Sequence, residues 1–467
     1  MVMLFLMEVF FVVLNGIAVK AQSSNWLKPV SIFHTQEMIF TPVLISDTSG
    51  KLHLLWRYVI SPTENKGPSF DLIFYSQWDG VSWSEPVDII AWSSLRSLSA
   101  TVDRYGTIHL VWTDPENLYY SRATVDTAKF VKSWAKPLTL EQANPNIHLL
   151  ADDRGRLHLV YAGKGTAGVY YLFSENNGAT WSVPRKISGT SSQVSSAVYT
   201  YLAIGKNRTL HVVWTELQLP EGWPPLGVYY TRSSDGGLNW SRAVEMAGEG
   251  YDQINIVSDG NGIIHVAWNG MVGVDGRYHR WSADDGQTWS ETETIVPDGA
   301  TSGPPWMVID SAGTLHLLTT YSCAWYLSWT ESSRWNLPDC ISQEEAKKTK
   351  YIEEAVLMIS EGNQLHAVFW AERQRLWYTA KNVLSPAEPP VPFLTQTIMT
   401  IPASTPGPNI ITGEELSLTP VSPIQQPGIF IQPIGPGQII SISAIPIIII
   451  IISIIVRHML IQRGNFQ

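Results

Sequence analysis

Residues 108–112 read Ile108-His109-Leu110-Val111-Trp112, a run too short for a helix and rich in the branched and aromatic residues that favour strands. The run recurs. Its copies are Leu52-His53-Leu54-Leu55-Trp56, Leu157-His158-Leu159-Val160-Tyr161, Leu210-His211-Val212-Val213-Trp214, Ile264-His265-Val266-Ala267-Trp268, Leu315-His316-Leu317-Leu318-Thr319 and Leu365-His366-Ala367-Val368-Phe369-Trp370. Successive histidines are 56, 49, 53, 54, 51 and 50 residues apart. A stretch repeated at a fixed period is scaffold before it is a site.

Working outward from the histidine gives the unit. A tight turn precedes it, as in Asp103-Arg104-Tyr105-Gly106, and before that comes another apolar strand, such as Ile254-Asn255-Ile256-Val257. An aromatic strand follows, as in Val228-Tyr229-Tyr230, then a polar turn and a fourth strand, as in Trp83-Ser84-Glu85-Pro86-Val87. Four short strands per unit describe a propeller blade. The expected fold is all-β, a seven-bladed propeller over residues 25–383, with six blades as the alternative if one degenerate unit is misread. The seventh unit ends near Lys381 without a fourth strand, while Asn25-Trp26-Leu27-Lys28-Pro29-Val30-Ser31-Ile32 resembles the fourth strands of other units. The N-terminal strand is therefore expected to complete the last blade and to remove the open edge.

The polar turn has its own repeat. Its copies are Ser282-Ala283-Asp284-Asp285-Gly286-Gln287-Thr288-Trp289, Ser233-Ser234-Asp235-Gly236-Gly237-Leu238-Asn239-Trp240, Ser174-Glu175-Asn176-Asn177-Gly178-Ala179-Thr180-Trp181 and a worn Ser76-Gln77-Trp78-Asp79-Gly80-Val81-Ser82-Trp83. The carboxylate or amide at the third place suits capping of turn N–H groups, glycine suits a left-handed turn, and the tryptophan is expected to pack under the turn. In phase with the blades, these turns resemble the Asp boxes, or BNR repeats, of the sialidase (neuraminidase) superfamily. The resemblance implies a structural role for Ser174, Asn176, Gly178, Trp181, Ser233, Asp235, Gly237, Trp240, Ser282, Asp284, Gly286 and Trp289. It also implies a glycan pocket at the opposite end of the ring. Active sialidases use three arginines to hold the substrate carboxylate, a Tyr–Glu nucleophile pair and an aspartic acid. The stretch matching the first arginine motif is Ile39-Phe40-Thr41-Pro42, with Phe40 where the arginine stands in the family. Phenylalanine makes no bidentate clamp, so the expectation leans to a non-catalytic carbohydrate- or protein-binding propeller, with a sialidase-type glycoside hydrolase of remodelled pocket as the alternative.

The histidines, one per blade, are separated by whole blades and are expected to bond within their own. No metal site and no cofactor are expected, and no basic cluster interleaved with aromatics suggests nucleic acid. Polar residues that depart from the repeat near the end of the second strands are the candidate ligand pocket: Arg57, Asp71, Asp114, Glu216, Arg277 and Arg373, flanked by Glu372 and Arg375. Trp223 and Tyr251 are candidate sugar-stacking surfaces.

The ends of the chain place the propeller. Residues 1–21 read as a secretory signal, mostly apolar over 3–19 and finishing at Val19-Lys20-Ala21, with an uncleaved anchor as the alternative because Glu8 stands in a start that lacks a positive charge. Residues 384–436 are proline-rich and read as an extended stalk. Residues 437–456 are almost all Ile, Ser and Val, long enough for a transmembrane helix, and Arg457, His458 and Arg463 in the 457–467 tail put that tail in the cytoplasm. A single-pass membrane protein with an extracytoplasmic propeller and a glycan or protein ligand outside the cell is the expectation. Cys323 and Cys340 sum to 663, the index sum of a hairpin centred between Glu331 and Ser332, so they are expected to face each other and form a disulfide.

Overall fold

A computed structural model describes residues 25–60, 70–164, 168–188, 195–218, 222–271, 276–296, 302–320, 322–342 and 352–395. The expected signal segment, the transmembrane span and most of the expected stalk lie outside these residues. Among the described residues, no helix is long and apolar enough to cross a membrane.

Seven antiparallel sheets form seven blades. The first strands are Met38–Ser46, Ser97–Val102, Ala143–Ala151, Ser195–Ile204, Tyr251–Ser258, Ser302–Ile309 and Ile352–Ser360. Each touches the first strand of the next blade, and that of blade 7 touches that of blade 1, so they ring a central channel. Blade 7 is completed by Val30–His34, which pairs with Arg375–Asn382. Both faces of each blade are covered by neighbours, which explains second strands such as Thr107–Thr113 that are buried at every position.

The repeated histidine anchors each blade from within. The imidazole Nδ1 lies 2.8 Å from a third-strand tyrosine hydroxyl in the pairs His53–Tyr75, His109–Tyr120, His158–Tyr171, His211–Tyr230, His316–Tyr326 and His366–Tyr378. Nε2 faces a turn carboxylate: Asp47 at 3.1 Å, Asp103 at 3.1 Å and Asp310 at 3.2 Å. In His53, His109 and His316 each ring thus bridges a tyrosine hydroxyl and a turn carboxylate. Blade 4 has Gly205 where the aspartate stands, and Asp285 from the blade 5 turn replaces it, 3.2 Å from His211. Blade 5 replaces tyrosine by His279, 2.9 Å from His265.

The box turns do more than close hairpins. Within the turn, Asp284 Oδ1 accepts the Thr288 N–H at 2.8 Å and Ser282 Oγ accepts the Gly286 N–H at 2.9 Å. The tryptophan also packs across the seam on the tyrosine of the preceding blade, and Trp240 donates its indole N–H to Gly237 O of its own turn at 3.1 Å. Ring centroids are 5.2 Å apart for Trp181–Tyr120, 5.4 Å for Trp240–Tyr171, 4.9 Å for Trp289–Tyr230 and 5.3 Å for Trp83–Tyr378. Glycine is required twice over: Gly178 and Gly286 have φ of 74° and 77°, and a Cβ at either would overlap the tyrosine hydroxyl of the blade before. Blade 7 has no box of its own, and Trp26 fills the place, 5.2 Å from Tyr326. The N-terminus thus supplies a strand and a latch.

Cys323 and Cys340 are joined by a disulfide, with Cα atoms 5.8 Å apart. The register differs from the expected one. Cys340 pairs with Trp325, not Cys323, so the bond runs diagonally across a hairpin shifted by the irregular turn before Asn336.

The first residues of the expected stalk lie against the ring. Val391 N–H donates to Thr48 O at 2.6 Å, Leu394 N–H to Arg104 O at 3.0 Å and Glu388 N–H to Glu361 O at 2.8 Å. Ser311 Oγ meets the Pro386 carbonyl, and the Phe393 ring covers Gly106. This strap crosses the first turns of blades 6, 7, 1 and 2, at the end of the ring that carries the box turns.

Two outcomes follow from this packing. Trp26→Ala should cost about 3–5 kcal/mol as a buried aromatic lost, whereas Leu27→Ala, at a residue 64 % exposed, should change stability little; equal midpoints in urea for both variants would contradict the latch. Burial lowers the pKa of His109, His148, His158, His211, His265, His279 and His366, to about 4 for His148 and His366. The unfolded chain then binds more protons, so stability is full above about pH 6.5 and falls as pH drops towards 4. Melting temperatures flat from pH 7 to 4.5 would refute this.

Candidate functional site

The end of the channel opposite the box turns is its mouth, and the first strands break their regular pairing just below it. Register shifts occur between Phe40 and Val43, Ala143 and Ile147, Val198 and Tyr201, Asp252 and Asn255, Ser302 and Trp306, and Ile352 and Glu354. Blade 2 alone runs straight. Asn146, Tyr199 and Gln253 take φ of 127°, 48° and 55° at these breaks. A tyrosine in the left-handed region is a strained residue held by its surroundings. Bulges of this kind turn side chains that a regular strand would hide.

Below the breaks the channel encloses a cavity of about 250 Å³, lined by Asn146 and His148 of blade 3, Tyr199 and Tyr201 of blade 4, Trp306 of blade 6 and Glu354 of blade 7, with apolar residues from blades 1 and 2. Several wall residues bridge blades. Asn146 Oδ1 accepts the Tyr199 N–H at 3.0 Å, His148 Nδ1 accepts the Leu202 N–H at 3.1 Å, and Asn255 Nδ2 donates to Pro305 O at 3.0 Å. His148 is buried, which holds its pKa down at about 4. The Tyr199 hydroxyl accepts from Gln253 Nε2 at 3.4 Å. The Glu354 carboxyl makes no hydrogen bond or ion pair among the described residues, and burial raises its pKa to about 7, with Arg373 pulling the other way. Burial likewise raises Asp252 and Glu353.

Three of the six expected pocket residues come together. Phe40 lies between Arg57 and Arg373, whose guanidinium carbons are 5.1 and 5.0 Å from its ring centroid. Each arginine already has an acid: Arg57 meets Asp71 at 3.2 Å and Arg373 meets Glu353 at 3.4 Å. Asp71 is buried and also accepts the Leu95 N–H at 2.5 Å. The other three stand apart. Asp114 closes its own turn, accepting the Glu116 and Asn117 N–H groups at 2.8 Å and the Tyr119 hydroxyl at 2.8 Å. Glu216 is buried on the Trp214 face of its strand, and Arg277 on the His279 face of its own. Burial lowers the Arg277 pKa to about 9. Trp223 is 48 % exposed, and Tyr251 packs edge-on to Tyr278 at 5.2 Å. Among the described residues no cluster of His, Cys, Asp or Glu is arranged to hold a metal.

The residues that sequence reasoning missed are those of the first strands. Their signal is a column: the residue ten places before each repeated histidine is Val43, Ser99, His148, Tyr201, Asn255, Trp306 and Val356. These positions pair in turn with Leu55, Val111, Val160, Val213, Ala267, Leu318 and Val368, and so form one layer of the channel. Glu354, Tyr199, Gln253 and Asn146 share the column twelve places before the histidine.

The ion pairs differ in what they hold. Arg57→Ala would leave Asp71 buried and uncompensated, a loss of about 3–5 kcal/mol. Arg373→Ala, at a side chain 50 % exposed, should stay within about 1 kcal/mol of the parent. Chemical denaturation of the two variants separates them, and equal losses would contradict the assignment.

Residues 107–321 match the family model of the BNR repeat-like domain. No curated protein matches the sequence. A protein of unknown function from Dyadobacter fermentans DSM 18053 shares the fold at a TM-score of 0.50, with 13 % identity, over 77 % of this chain and 99 % of that one. A polysaccharide lyase of family PL25, an ulvan lyase bound to -[GlcA(1-4)Rha3S]-, does so at a TM-score of 0.53, with 12 % identity, over 77 % of this chain and 97 % of that one. At such identities the likeness is one of fold. Residues 107–321 of this seven-bladed propeller are thus similar to the BNR repeat-like domain, in phase with the repeated boxes.

Proposed function

We propose that the protein is a carbohydrate-binding propeller displayed outside the cell, which holds its ligand at the channel mouth without cleaving it. One observation carries the reading: at the place of the sialidase family's first clamp arginine stands Phe40, and Arg57 beside it is paired with the buried Asp71, while Arg373 meets Glu353 only through Nε. A carboxylate clamp needs guanidinium groups free to fork onto the ligand, and Arg57, held on Asp71, is not one. What the mouth offers instead is aromatic surface and amide groups, in Tyr199, Trp306, Asn146 and Gln253, the usual furniture of a sugar site. A propeller of the same fold was solved bound to -[GlcA(1-4)Rha3S]-, and a sugar is the ligand class proposed here too. Display rests on the sequence: a leading apolar segment, a proline-rich stalk and an apolar span at 437–456. The strap supports it, because Leu394 leaves the ring at the end opposite the mouth, so a tether there would keep the mouth outward.

A second reading, glycoside hydrolysis, is favoured by one observation. A carboxyl whose pKa is about 7, that of Glu354, suits a general acid. A glycan array run beside a hydrolysis screen on the purified protein decides between them. Array binding with no sugar released from sialosides or other glycans is expected. Robust release that disappears in Glu354→Gln would establish the hydrolase, and binding to no glycan at all would refute the carbohydrate reading.

A further inference from the structure

We infer that the channel cavity beneath the mouth is a site for an organic ammonium group, received by the Glu354 carboxylate and the aromatic walls of Tyr201 and Trp306. The walls are aromatic and acidic. Tyr201 lies edge-on to Trp306 at 6.1 Å and to His148 at 5.4 Å between centroids, and among the described residues no lysine or arginine lines the cavity. The cation nearest in charge to Glu354, Arg373, is held on Glu353 instead. A half-buried carboxyl with no hydrogen-bond or ion-pair partner among the described residues lacks a close counter-ion there, and a cation entering beside it supplies one. Aromatic rings favour the same sign of charge through their negative faces, most strongly for ammonium groups stripped of water. An anion would meet Glu354 with nothing to offset it.

The other titratable groups around Glu354 are two tyrosines, a histidine and two further acids. Tyr199 and Tyr201 of blade 4 are pushed further above their ordinary range by burial. His148 of blade 3 stays neutral down to about pH 4. Asp252 of blade 5, whose charge reaches Tyr199, and Glu353 of blade 7 are both raised acids, and Arg373 is their neighbouring cation. With Glu354 near 7 in the empty cavity, cation binding should draw its proton off and weaken as pH falls.

This inference shares with the proposed function the placing of the ligand in the channel, but not the sugar. The test uses the full-length purified protein and two probes of one shape, tetramethylammonium and the neutral 3,3-dimethylbutanol, titrated by calorimetry. Tetramethylammonium should bind at least about tenfold more tightly than the alcohol at pH 8, and lose about tenfold or more between pH 8 and 5.5, as a carboxylate near 7 protonates. Glu354→Gln should abolish both the preference and the pH dependence while keeping its melting temperature. Trp306→Leu should weaken tetramethylammonium with the pH dependence retained. Equal binding of the two probes by the parent protein, a pH-independent affinity, or an unchanged Glu354→Gln would each overturn the site. Ammonium binding without any glycan binding would sink the sugar reading and leave this one standing.

Discussion

One contact repeated around the ring sets the rest: a blade's third-strand tyrosine, fixed from inside by its histidine, receives the box tryptophan of the blade that follows. Trp181 on Tyr120, Trp240 on Tyr171, Trp289 on Tyr230, Trp83 on Tyr378 and Trp26 on Tyr326 are the same joint, and Trp134 shares a core with Tyr75. The joint is both apolar and directional. Burying two aromatics provides the free energy, and the histidine bond fixes the angle at which they meet. Where the chemistry departs, other devices stand in. Blade 5 offers His279 instead of tyrosine, and Trp335 of blade 6 packs on it at 5.1 Å. Arg334 and Glu293 meet across that seam at 2.7 Å, and the Cys323–Cys340 disulfide ties the short blade 6 hairpin. The weakest box has the only covalent staple among the described residues.

Because rigidity is concentrated at the box end, the mouth is free to depart from regular pairing. Six bulged strands would be a liability in a sheet that relied on its ladder alone. Here the ladder is reinforced across blades by Ser99, Asn146, His148 and Asn255, each bonding to backbone of the next first strand. The strained Tyr199 and Glu354 are held in this frame. Function, on this account, occupies the half of the ring that the latches leave alone.

The sequence was readable in proportion to repetition. Histidines, box turns and the completing N-terminal strand repeat, so their spacing announced blades, their number and the closure. The direction of the box tryptophan was not readable, because it depends on which blade's tyrosine lies nearest, a fact of three dimensions. Asp285 serving His211 from a neighbouring blade hid in the same way. For the site, the loops after the second strands drew attention through their charges. Glu216 and Arg277 belong to the strands themselves and are buried, which their charge alone does not announce. The informative residues were in the first strands, where the pattern looked apolar and bulges broke its period. Only the column ten residues before each histidine, reading from Val43 and Ser99 to His148, Tyr201, Asn255 and Trp306, exposes the channel wall.

The strap has a mechanical meaning. Without it, tension on the C-terminal segment would act directly on Arg375–Asn382, the strand that pairs with Val30–His34, and would peel the closing pair one hydrogen bond at a time. With residues 385–394 bound across Ser311, Glu361, Thr48 and Arg104, the load enters through four blades instead. Those bonds are spread over turns on both sides of the closure, so the segment after the closing strand is held by four blades and not by that strand alone.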